Sequence, residues 1–128
     1  MKLELTLLVC AVGLAFLQVL VALLTAIPQV GLPALLGNRE EMPALSGVAG
    51  RAERAYKNMF ESLLLFAALV LVAAVAGKTN AQTALGAQIF LWARLAFAVI
   101  YVVGIPVVRT LAWLVGVIGL FIIGLQLV

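Results

Sequence analysis

Arg51, Arg54, Asn58 and Glu61 are separated by three, four and three residues. At about 100° per residue they fall within about 80° of one another, so a helix through them carries one polar stripe. A second set, Arg94, Phe97 and Tyr101, repeats the same period and puts a cation, an aromatic ring and a phenol on one face, and Arg109 follows shortly after. Guanidinium groups hold carboxylates bidentately and stay charged, so this selection of residues suits a small anionic ligand. One acid cannot neutralise Arg51, Arg54, Arg94 and Arg109, and the surplus positive charge points to an anion held between helices. The structural alternative pairs Glu61 with Arg94 to fix packing, while Arg51, Arg54 and Lys57 reach towards anionic headgroups. Lys57 and Arg39 fit that alternative better than a ligand role.

Several chemistries are excluded by composition. The chain has no histidine, no aspartate and one cysteine among its 128 residues. It cannot build the common zinc or haem ligand sets unaided, a Ser-His-Asp triad or an internal disulfide, and no metal is expected. Cys10 lies in an apolar run and reads as a small hydrophobe. The net charge of +3 reflects site and topology signals, so no nucleic-acid partner is expected.

The elements that must position these residues are membrane spans. The chain is 66% hydrophobic and 10% charged, with a mean hydropathy of +1.29, so lipid is the solvent for most of it. One domain with four spans is expected, at about residues 5–27, 51–77, 84–103 and 108–128. Pro28, Gly31 and Pro33 are expected to end the first. A long loop of turn-forming composition, about residues 31–50, contains the polar string Asn38-Arg39-Glu40-Glu41. The second span is polar in its first three turns and apolar from Leu63 to Ala76. Four spans put both termini on one side. Arg39, Arg51, Arg54, Lys57 and Arg109 flank the first and third loops, against Lys2 and Lys78 on the other side. The positive-inside rule then places the long loop in the cytoplasm and both termini outside it. The reading is an integral, multi-pass protein, with a cell inner membrane as the expected location.

The run from Arg51 to Glu61, RAERAYKNMFE, resembles the second-helix signature of the membrane-associated proteins in eicosanoid and glutathione metabolism, the MAPEG family, as found in its bacterial-type members. The stretch from Ala93 to Tyr101, followed by Pro106 and Arg109, is similar to that family's third helix and the start of its fourth. The resemblance covers essentially the whole chain. It implies an all-α fold, a four-transmembrane-helix bundle assembling as a homotrimer, with glutathione as co-substrate near the cytoplasmic face between neighbouring subunits. It further implies that Arg51, Arg54, Asn58, Glu61 and Arg94 bind glutathione, and that Arg109 and Tyr101 act on its sulfur. The implied activity is that of a microsomal-type glutathione transferase or peroxidase, whose thiolate attacks a lipophilic electrophile arriving from the bilayer. Lys57 and Phe97 depart from residues common in the family, and the first span lacks an arginine near its inner end.

Two other classes of function compete. A small transporter or channel would spread its charges through the membrane depth, whereas here they crowd towards one face. A catalytically silent member would serve as a membrane interaction module. Gln18, the sole amide inside the first span, is expected to form an interhelical hydrogen bond. Gly13, Ala73, Gly86, Ala98, Gly116 and Gly119 are expected to let helices approach closely.

Overall fold

The computed structural model describes residues 2–39 and 42–128, so Glu40 and Glu41 of the polar string lie outside the described residues. Four helices are long and apolar enough to cross a membrane: α1 (Leu3–Val30), α3 (Gly47–Val75), α4 (Ala81–Val103) and α5 (Pro106–Leu125). A five-residue helix, α2 (Leu32–Leu36), lies in the long connection. The described chain is thus all-helical, with its spans alternating in direction. Lys2 Nζ donates to Thr79 Oγ1 at 2.7 Å, and Asn80 Nδ2 donates to Gln126 Oε1 at 2.9 Å, which gathers the chain ends at the α3–α4 turn. The α4–α5 turn and the long connection lie at the opposite end, called the loop end below.

Two details of the helices depart from expectation. α1 continues through Pro28 to Val30, because proline near a helix end removes only its own donor. Gly31 stops the helix instead, its φ of 82° placing it where side chains are disfavoured. The long connection is not wholly irregular, since Pro33 sits in the first turn of α2, where a missing N–H costs no helical bond.

The small residues explain the packing. α1 buries Ala11, Ala15, Ala22 and Ala26 along one face, a shallow ridge that lets it lie against α3, whose Ala52, Ala55 and Ala73 are also buried. Gly13, by contrast, has nothing within 4 Å of where a Cβ would stand, so it makes no close approach; it faces away from that ridge. α4 and α5 form the most extensive pairing. A Cβ on Gly86 would come within 2.6 Å of the Gly119 carbonyl oxygen, so the two backbones touch at this crossing. Phe66 of α3 stacks on Phe90 of α4 at 4.2 Å between centroids, and Met59, Val70, Leu120 and Ile123 complete the core around them. Large apolar side chains such as Leu64, Trp92 and Phe121 point outward, as expected where the surroundings are hydrocarbon.

Candidate active site at the loop end of the bundle

The polar stripe of α3 meets the last turns of α4. Arg51 donates through Nε to the carbonyl oxygen of Val102 at 2.9 Å, and Arg54, one turn on, donates through Nε to the Tyr101 hydroxyl at 3.3 Å. Tyr101 is held from two further directions. Its ring packs edge-on against Phe97 at 5.3 Å between centroids, and the Arg109 guanidinium lies over its face at 4.5 Å. Arg94, one turn before Phe97, stacks its own guanidinium over the Phe97 ring at 4.1 Å. The cation, ring and phenol that share a face of α4 therefore form a continuous row ending at Arg109 of α5.

The turn between α4 and α5 determines where Arg109 stands. Gly104 adopts a left-handed conformation with φ of 97°, and its N–H and that of Ile105 both donate to the Ile100 carbonyl. Pro106 then starts α5 at a position that needs no N–H donor, and Arg109 follows within the first turn. The result is a cavity of about 250 Å³ bounded by Asn58 of α3, Phe97 and Tyr101 of α4, and Arg109, Thr110 and Trp113 of α5.

Electrostatically this end is unbalanced. Among the described residues the one ion pair joins Lys57 to Glu53 at 2.9 Å, one turn apart on an exposed face of α3. Glu61 and Arg94 do not pair. Arg94 is 1% exposed with all three guanidinium nitrogens unpartnered, whereas Glu61 is exposed on α3. Asn58 Oδ1, beside the cavity, is buried and unpartnered too. Buried polar groups such as these normally find partners.

Of the residues anticipated from sequence, Arg54, Asn58, Tyr101 and Arg109 are thus brought together, and Arg94 lies beneath them through Phe97. Arg51 reaches the same turn of α4 but has its Nε on a backbone carbonyl. Glu61 is one turn beyond Asn58 and does not line the cavity. Two lining residues escaped the sequence reading, Thr110 and Trp113. The signal was present, since Trp113 follows Arg109 by four residues and so shares its face. Gln18 forms no interhelical hydrogen bond: it is 7% exposed with both amide atoms unpartnered, beside an apolar groove of about 290 Å³ between α1 and α4. The groove is walled by aliphatic side chains such as Leu14, Leu95 and Val99, none of which can accept or donate.

No curated protein and no solved structure matches the chain. A family model described as the MAPEG family matches residues 7–128, a stretch that holds all the cavity residues and nearly all of the four spans. The chain is an integral membrane protein and belongs to the MAPEG family.

Proposed function

We propose that the protein is a membrane glutathione transferase or peroxidase, in which glutathione occupies the loop-end cavity and its thiolate attacks a lipophilic electrophile. The observation that carries this reading is the gathering of Arg54, Arg94 and Arg109 around the Phe97–Tyr101 pair without a carboxylate partner among the described residues. An anionic ligand offers the missing charge, and glutathione has two carboxylates, one ammonium group and a thiol. In this reading Arg54 and Arg94 receive carboxylate, Asn58 accepts or donates along the peptide, and Glu61 holds the ammonium group, helped by a neighbouring subunit of a homotrimer. Arg109 stands beside the sulfur, where a cation favours the thiolate over a thiol of pKa about 8.5. The Tyr101 hydroxyl donates a hydrogen bond to the same sulfur. In transfer, the sulfur forms a bond to the electrophilic carbon, the leaving group departs with its electron pair, and the thiol proton passes to water. In this reading the long loop faces the cytoplasm, both termini lie outside it, and the location is a cell inner membrane.

The test is glutathione binding to detergent-purified protein, comparing wild type with Arg54→Ala and Glu61→Ala, alongside turnover of an aromatic electrophile. Saturable binding by wild type, weakened in both variants, is expected. Absence of saturable binding by the wild type would sink the reading.

A further inference from the structure

Arg51 was expected among the ligand contacts, but its geometry assigns it other work. Its Nε donates to Val102, whose carbonyl belongs to the last turn of α4 and would otherwise lack a partner there. Its side chain also fills the space beside Gly104: a Cβ on that glycine would stand 3.3 Å from Arg51 Nε and 3.5 Å from its Cδ and Cζ. The residue therefore holds the last turn of α4 and packs beside the glycine at which the chain bends towards α5. Arg109 begins its helical bonding immediately after that bend, its N–H donating to Ile105 at 3.3 Å.

We propose that Arg51 is a positioning residue, which fixes the α4–α5 turn and through it the placement of Arg109 over Tyr101 and of Trp113 in the cavity wall. This rests on the proposed thiolate role of Arg109, and it deepens that role by naming what aims the cation. A cation misplaced by about 1 Å loses much of its effect on a reacting atom, so the expected cost falls on the chemical step. Arg54, one turn away, bonds to a side chain that lines the cavity and is free to exchange it for a ligand. Arg51 bonds to backbone, and exchanging that bond would leave a helix carbonyl orphaned.

The experiment compares Arg51→Gln, Arg51→Lys and Gly104→Ala, all in a Trp92→Phe background so that Trp113 is the one tryptophan left. Arg51→Gln should lower kcat by about ten- to a hundredfold while glutathione affinity stays within about threefold, with a matching loss of the thiolate's ultraviolet absorbance. Arg51→Lys keeps one donor and should recover part of kcat. Gly104→Ala strains the same turn, whose φ of 97° disfavours a side chain, and crowds Arg51 without altering charge, so its effect on kcat should overlap with that of Arg51→Gln in the double variant instead of multiplying. Trp113 emission should shift in Arg51→Gln without any ligand present. Glutathione affinity reduced tenfold at unchanged kcat, with Trp113 emission unmoved, would make Arg51 a ligand and overturn the inference while leaving the proposed function intact. If wild type binds no glutathione, the proposed function fails, and the Trp113 measurement alone then decides whether Arg51 holds the turn.

Discussion

Two glycines three residues apart on α5 should respond to the same substitution with opposite signs. A Cβ on Gly119 would lie 2.6 Å from the Gly86 carbonyl oxygen and 2.9 Å from the Phe90 nitrogen, both backbone atoms that no rotamer change can move. Relief requires α4 and α5 to part by about 1 Å to reach ordinary contact, which also loosens Phe90, Leu120 and Ile123 in the core. Overpacking of this kind costs about 1–3 kcal/mol. A Cβ on Gly116 would instead meet Ala93 Cβ at 3.6 Å and Arg94 Cδ at 3.7 Å, which is normal packing. There alanine removes the entropic cost of a helical glycine, a gain of about 0.5–1 kcal/mol. The entropic gain is common to both helical positions and cancels, so the two variants should differ by the overpacking cost of about 1–3 kcal/mol in denaturant unfolding followed by circular dichroism in one detergent. Equal midpoints for the two, or a Gly119→Ala variant as stable as wild type, would refute the claim that the α4–α5 backbones touch.

Other expectations follow from individual contacts. Arg109→Ala should spare glutathione binding more than turnover, whereas equal losses would move Arg109 into the binding set. Thr83→Val removes the hydroxyl that donates to the buried Glu4 carboxylate at 2.6 Å and should destabilise the bundle by about 1–3 kcal/mol, measured by the same unfolding assay. Gln18→Met replaces an unpartnered amide with a thioether of similar volume and should stabilise the protein by about 1 kcal/mol; a loss instead would show that another chain or a lipid satisfies the amide in detergent. Glu53→Gln breaks an exposed pair one helical turn apart and should change stability by less than about 0.5 kcal/mol.

The spans could be read from the sequence because hydrocarbon imposes one requirement on every residue between the turns, and few polar side chains interrupt the pattern. The gathering of the candidate site residues was legible for a related reason: Arg54, Asn58, Tyr101 and Arg109 stand out against an apolar background, and helical spacing alone puts each set on one face. Contacts across helices were less accessible. Glu4 reads as a flanking charge, yet it is buried against Thr83, because that pairing depends on how α1 is set vertically against α4. Gly13 looks like Gly86 in sequence, and only the rotation of α1 about its axis shows that alanines, not that glycine, face α3. Pro28 looked like a stop signal, but a proline's effect depends on how many helical bonds remain beyond it, and here few do.

The polar contacts at the chain ends have a mechanical corollary. Lys2, Asn80 and Gln126 fasten α1, α4 and α5 around one short turn, whereas at the opposite end the side-chain bonds from α3 to α4 are those of Arg51 and Arg54. α4 is thus an arm pinned at the termini, while at the loop end α1 and the start of α3 are joined to each other by Gln29, which exchanges two hydrogen bonds with Ser46. From Thr83 to Tyr101 the arm is about 27 Å long, so a tilt of about 5° moves the cavity wall by about 2 Å while hardly disturbing the pinned end. A ligand that draws Arg54 away from Tyr101 would leave Arg51 on Val102 as the remaining side-chain hydrogen bond from α3 to α4 at this end, so occupancy of the cavity would bear on how firmly its two walls are held together.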